Sequence, residues 1–438
     1  MQRHHRRTVG VVLSLLVLTA GCGSTNDDDA GDSSGSDEPT EARGITDDQI
    51  TIGFEYVSSG DEALEAGGIE GVTAGDGHAI FEALIDRVNA DGGVLGREIV
   101  PVYYAADATS TDPAADEQAM CTAFTQDAEV FAALVFRHTE SALQCLADAG
   151  VVTIGPGGIN ASDSALFEQF PLYVEAGSLS LDLMASTLVD ALVDDGFLSD
   201  DATIGAILPD DPVFIRAYED GLVPALEDAG LEVAHDVRVP IDTQDAISAA
   251  VQSSVLAFRD AGVDRMLLLD SGGALLVYLM NAADAQGYRP QYAMTTQSGG
   301  TAIVPSVPPQ QLEGSTGIGW LPDFDIPESE LETWPARTDC LDRLASEAQF
   351  ADPNARSIAL DGCTQVDLLL AGLEAADELD AQGFMAGIES LGDSFEAASI
   401  PATRYGPGRH DGVGAVQPLA FDDSCTCFRY EGDPRPVD

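Results

Sequence analysis

Asp148-Ala149-Gly150-Val151, Asp228-Ala229-Gly230-Leu231 and Asp260-Ala261-Gly262-Val263 are three occurrences of one phrase, Asp-Ala-Gly-apolar. An amphipathic run precedes each glycine and an apolar run follows it. Glycine tolerates the left-handed conformation that ends a helix, so each phrase marks a turn from helix to strand. Strand and helix signals alternate outward from these turns. Strands are predicted at Ile50–Phe54, Ile99–Tyr104, Val130–Phe136 and Val151–Gly155, with helices over Ala79–Val88, Gln118–Asp127 and Glu140–Ala149. The second half repeats the alternation. Strands are predicted at Thr203–Leu208, Glu232–Val239, Arg265–Leu269 and Tyr292–Thr295, with helices over Phe214–Ala229, Ala246–Arg259 and Ala274–Ala285. Helices near Ser329–Phe350 and Ser357–Glu378 and short strands around Val416–Phe421 and Cys427–Tyr430 complete the chain. Repeated strand–helix units build a parallel sheet covered by helices on both faces. Two such sets imply two α/β lobes, with a ligand cleft at the strand carboxyl ends.

The amino end reads as an export signal. A basic start (Arg3, His4, His5, Arg6, Arg7) leads into an apolar run from Val9 to Leu18, then Thr19-Ala20-Gly21-Cys22. The run is too short to span a bilayer. Cys22 after small residues resembles the lipobox of bacterial lipoproteins, which implies a signal peptide over 1–21 and a lipid on Cys22. A plain secretory signal containing a cysteine is the alternative. Residues 22–44 are dominated by Asp, Ser, Gly and Thr, a composition that cannot bury enough apolar surface to order itself, and they read as an acidic tether.

Charge and composition exclude whole classes of function. The chain carries 75 Asp and Glu against 19 basic residues, a formal net charge of −56. Such a surface repels nucleic acid. All 19 basic residues are Arg, so Walker-A, Schiff-base and kinase lysines are ruled out. The glycine pairs Gly75-x-Gly77, Gly155-x-Gly157, Gly317-x-Gly319 and Gly406-x-Gly408 lack the third glycine of the dinucleotide fingerprint. Gly31-Asp32-Ser33-Ser34-Gly35 matches the nucleophile elbow in letters, but it lies in the tether with no strand before it. No cofactor or metal is expected. Beyond Cys22, six cysteines in an exported chain suggest disulfides. Fifteen pairings are possible. Local spacing favours Cys121–Cys145, Cys340–Cys363 and Cys425–Cys427, with a Cys-x-Cys metal site as the rival for the last.

From about Ile45 to Asp438 the chain resembles the leucine/isoleucine/valine-binding group of type I periplasmic binding proteins, in their actinobacterial lipoprotein form. The carrying segments are Ile99–Tyr104 with the Asp107–Asp112 loop, Cys121–Thr125 with Val130–Ala132, Gly150–Gly157, and Cys425-Thr426-Cys427-Phe428. Their order along the chain is what is similar. The resemblance implies two doubly wound, Rossmann-like lobes with parallel-rich sheets joined by a three-segment hinge. The crossings would fall near Leu172–Ala176, Gly317–Leu321 and Ala415–Leu419. Lobe one would be 45–174 with 319–414, and lobe two 175–318 with 415–438.

The resemblance also implies a role. The chain would be the extracytoplasmic, membrane-anchored solute-binding component of an ABC uptake system. It would be monomeric and non-enzymatic, with a small polar, amino-acid-like solute and membrane permease subunits as partners. A ligand sensor of the same fold and an exported hydrolase are the competing readings. Positions matching the family's ligand loops are Tyr56, Ser58, Arg137, His138, Thr139, Gly158, Asn160, Asp211, Asp270, Ser271 and Gln297. Arg137 could pair with a ligand carboxylate or with a surface acid. His138 could donate to the ligand or be solvated. Asp211 and Asp270 could bind an amine or cap the helices that follow them. Trp320 and Phe324 could wall the cleft or pack the hinge. Arg137-His138 and Gln297 depart from the family pattern for α-amino acids.

Overall fold

The computed structural model describes residues 42–66, 73–136, 139–158, 160–241, 243–345 and 353–437. The expected signal peptide, Cys22 and nearly all of the tether, together with Arg137 and His138, lie outside them.

Two parallel sheets organise the described chain. The first contains β1 (Gln49–Ser58), β2 (Glu98–Asp107), β3 (Ala132–Leu134), β4 (Val152–Gly157) and β5 (Tyr173–Gly177) in the order β2-β1-β3-β4-β5. The second contains β6 (Ile204–Pro209), β7 (Val233–Val239), β8 (Arg265–Leu268), β9 (Gln291–Thr295) and β10 (Thr316–Gly319). These run β7-β6-β8-β9-β10, so both halves are wound alike. β11 (Thr403–Gly406) and β12 (Arg409–Val413) form a hairpin. β13 (Ala415–Asp422) and β14 (Cys427–Tyr430) extend the second sheet antiparallel beyond β10, and β15 (Arg435–Pro436) pairs with β13.

Local sequence explains these elements. Gly150, Gly230 and Gly262, the glycines of the recurring phrase, sit at φ +72°, +76° and +74° and end their helices as expected. β4 and β6 are buried at every residue, as strands covered on both faces must be. β7 alternates exposed and half-buried residues because it lies at the sheet edge. The helix expected over Phe214–Ala229 is interrupted by a π-helical turn at Ala217–Leu222, just before Pro224, which has no N–H to donate.

The chain passes between the sheets three times. It leaves β5 after Gly177, downstream of the expected Leu172–Ala176, because Tyr173–Gly177 pairs with β4. It returns after β10, and residues 322–413 include helices that pack on the first sheet and the hairpin beside β5. It crosses again between β12 and β13. The sequence reading missed β5, the Leu181–Asp194 helix, the Ala381–Ser390 helix and the β11–β12 hairpin. Trp334 leads into the short helix Pro335–Arg343 instead of a helix running from Ser329.

Six cysteines pair as Cys121–Cys145, Cys340–Cys363 and Cys425–Cys427, so the last pair is a disulfide and not a metal site. After β10, Asp323 anchors the returning chain. Its carboxylate pairs with Arg337 Nη1, accepts from Arg337 Nη2 at 2.9 Å and from Arg356 Nε at 3.1 Å, and all three residues are buried. Arg356 also reaches Glu328 at 3.0 Å. Removing one partner of a buried ion pair leaves the rest uncompensated. Asp323→Ala should therefore cost about 3–5 kcal/mol, read as a lowered urea midpoint, whereas exposed Asp91→Ala, which loses only a surface pair with Arg87 at 3.1 Å, should change it little.

Candidate ligand cleft

In each sheet the strand order reverses direction beside the first strand of its lobe, at β1/β3 and at β6/β8. Ligands of doubly wound sheets bind at such switch points, outside the strand carboxyl ends. Ser58 ends β1, and Thr139 follows β3. Asp211 follows β6, and Asp270 and Ser271 follow β8. Gly158 and Asn160 follow β4, and Gln297 follows β9.

Many of these side chains serve the local backbone. Thr139 caps the Glu140–Asp148 helix, accepting from Ala142 N at 3.3 Å, and its hydroxyl donates to Glu117. Asp211 accepts from Val213 N at 3.1 Å at the start of the Pro212–Arg216 helix. Buried Asp270 accepts from Ser271 N at 2.8 Å and Leu276 N at 3.2 Å, so it caps the turn into the Ala274–Ala285 helix. Burial pushes its carboxyl up to about 7 despite those backbone donors. Ser58 Oγ donates to Ala106 O of β2 at 3.0 Å. The Tyr56 ring meets His78 edge-on at 5.1 Å, on the flank of the Gly77–Ala90 helix. Trp320, with 2% exposure, packs with the hydrophobic core around the Leu181–Asp194 helix, and half-buried Phe324 packs against that core.

Asn160 and Gln297 are brought together. Gln297 Nε2 donates to Asn160 O at 2.9 Å, joining the two lobes directly. Gln297 is fully buried, and its Oε1 has no hydrogen-bond partner among the described residues. The Asn160 main chain is held by Ser178 of the first passage. Its N–H donates to Ser178 Oγ at 3.1 Å, and its carbonyl accepts from that hydroxyl at 3.0 Å. The Asn160 side-chain amide donates to Tyr173 OH at 3.2 Å and to Glu175. Gly158, at φ +89°, lies under Leu321 of the second passage, where a Cβ would come within 2.9 Å of the leucine.

A second bridge crosses the lobes nearby. Arg216, on the helix after β6, pairs with buried Asp163 through Nε at 2.5 Å and Nη2 at 3.2 Å. It also approaches Glu140 at 3.7 Å. The sequence reading missed Arg216, Glu55, Glu175 and Asp361. Glu55 lies within β1 and accepts from Phe136 N at 2.8 Å. Asp361, on the Pro353–Ala375 helix, faces Gly157 and Gly158. The available signal was an acid inside an apolar run, as in Tyr173-Val174-Glu175-Ala176 or Ala359-Leu360-Asp361.

The family model for periplasmic binding proteins matches residues 49–421, and the chain belongs to that family. No curated protein matches it in sequence. Solved structures do match in fold. An ABC transporter substrate-binding protein from Desulfitobacterium hafniense, in complex with Leu, is 17% identical with a TM-score of 0.59, covering 88% of this chain and all of that one. A solute-binding protein of an ABC transporter from R. palustris, in complex with 4-hydroxybenzoate, is 16% identical with a TM-score of 0.64, covering 89% and 98%. A branched-chain amino acid ABC transporter protein from Thermus thermophilus, with bound valine, is 13% identical with a TM-score of 0.64, covering 90% and 97%.

Burial pushes the Asp361 carboxyl up to about 7, with the Asp323 charge adding to the rise and a Ser399 hydrogen bond opposing it. The folded state thus keeps a proton that the unfolded chain releases near 3.8, and this group's contribution to stability falls as pH rises from there to about 7. Asp361→Asn removes that loss. The variant should match the wild type in urea midpoint at pH 4 and exceed it at pH 8.5. A variant less stable than wild type at pH 8.5 would contradict the assignment.

Proposed function

We propose that this protein captures a small solute between its two lobes and presents it to an ABC permease. The observation that carries this reading is the direct meeting, through Gln297 and Asn160, of the loops at the carboxyl edges of two sheets wound alike. With the expected bounds moved to the observed strand ends, lobe one is 45–177 with 320–414, lobe two is 178–319 with 415–438, and lobe closure around the solute is a hinge motion about the three passages. A lipid on Cys22 and the acidic tether hold the folded body outside the cytoplasm, in reach of the permease. The protein works as a monomer and performs no chemistry on its ligand.

The solute class follows from the loops. Tyr56, Ser58, Arg137, His138, Thr139, Gly158, Asn160, Asp211, Asp270, Ser271 and Gln297 are the proposed contacts. The Glu140–Asp148 helix begins just after Thr139, and main-chain N–H groups at such an end favour anionic oxygens. Arg137 would add a bidentate partner for a carboxylate. Leucine, valine and 4-hydroxybenzoate, the solutes in the three structures of similar fold, all carry a carboxylate. Gln297 Oε1 supplies a buried acceptor for an amine or hydroxyl. We therefore propose a small carboxylate that also bears a hydrogen-bond donor, amino-acid-like or related.

A thermal-shift screen over amino acids, aromatic and aliphatic carboxylates, amides, polyamines and sugars tests this. A solute bound only by the folded state stabilises it by about 2.7 kcal/mol at a hundredfold excess over Kd. Carboxylates should raise the melting temperature, and Gln297→Ala or Arg137→Ala should abolish the rise. No shift with any class, together with turnover of an ester or amide probe, would sink solute capture and favour a hydrolase.

A further inference from the structure

The interlobe contact stands on a buried acid. Glu175 is fully buried in β5, two residues before the first passage. One oxygen of its carboxyl group accepts from Asn160 Nδ2 and from Tyr173 OH. It packs on Gly155 of β4, where a Cβ would overlap Glu175 Oε2. Its main-chain carbonyl accepts from Tyr405 OH at 3.0 Å. Asn160 is thus held from below by Glu175, from the hinge by Ser178 and from the opposite lobe by Gln297.

We infer that Glu175 is a positioning residue for lobe closure. Its protonated, buried carboxyl seats the Asn160 loop on which Gln297 docks, and loss of that proton favours separation of the lobes. The inference rests on the reading of the molecule as two lobes that close, and it requires no particular solute. The geometry supplies the coupling. Rotation about the first passage moves Ser178 and withdraws Gln297 from Asn160, which frees the loop and admits water to Glu175.

The electrostatic surroundings set the sign. Burial pushes Glu175 up to about 8, with the Asp411 charge adding to the rise while Tyr173 and Asn160 oppose it. The groups facing it are Tyr173 on its own strand, Asp411 on β12 and Tyr405 on β11. Arg409 offsets Asp411, donating to it at 2.9 Å. His410 lies further off, edge-on to Phe167, which stacks on Tyr173, and it is engaged with Glu389. A hydrated carboxylate returns toward its ordinary value of 4.5. The closed form therefore holds a proton that the open form releases. Above about pH 8 the open-to-closed ratio stops changing, and between the two values it rises about tenfold per pH unit.

The chain has two tryptophans. Trp334→Phe leaves Trp320, buried at the second passage with its main-chain N–H donating to Thr296 Oγ1 beside Gln297. The experiment follows Trp320 emission and the radius of gyration by small-angle scattering from pH 5.5 to 9.5, on the full chain without solute. Emission should move to the red and the radius should grow as pH rises, levelling off near pH 8. Glu175→Gln, which is neutral at every pH and nearly the same shape, should show neither change. Asn160→Ala, which severs the link but keeps the carboxyl, should also remove both. A wild type that is flat across the range overturns the inference. The same transition persisting in either variant also overturns it. Because no solute is present, a failed solute screen would dismiss capture without touching this result.

Discussion

Backbone that has left one sheet and not yet joined the next carries N–H groups with no strand partner, and in this protein buried carboxylates accept them. Asp411, just before the third passage, accepts from Ser180 N of the first at 3.3 Å. Asp325, just after the second, accepts from Leu321 N at 3.1 Å, from Thr296 Oγ1 at 2.8 Å and from Tyr430 OH at 2.5 Å. Buried polar backbone must find partners. Meeting that need with acids, and not with amides or hydroxyls alone, places titratable groups at the axis about which the lobes would turn. Burial pushes Asp325 up to about 6 and raises Asp411 as well. The hinge is held by groups whose charge depends on pH, and the buried ion pairs of Asp323 with its two arginines lie beside it.

The cleft edge shows the same economy of acids. Thr139, Asp163, Asp211 and Asp270 each satisfy main-chain donors at a helix start. Capping explains why Asp, Ser and Thr gather at strand ends whether or not a ligand touches them. Such residues fix where the helices begin at the strand carboxyl ends.

The parallel sheets were legible in the sequence because the Asp-Ala-Gly turns, the fully buried runs such as Ile204–Pro209 and the helical periodicity of Ala79–Val88 are local signals. The β11–β12 hairpin was not. Tyr405-Gly406-Pro407-Gly408 reads as loop, and the strands exist because they pack beside β5, a contact far away in sequence. For the site, position along the chain identified which loops lie at the strand ends. It could not show which side chains would be spent on capping, nor that Asn160 would join Gln297, 137 residues away. Glu175 and Asp361 escaped notice because an isolated acid in an apolar run carries no motif, and its meaning comes only from what packs around it.

Hydrogen exchange of the full chain, with and without the solute that stabilises it most, tests the central claim directly. If the solute binds between the lobes, amide protection should rise together in the loops after β4 and β9, around Asn160 and Gln297, and in the passages near Ser178 and Leu321. Protection confined to one lobe, or to a surface away from the strand carboxyl ends, would contradict capture between two closing lobes.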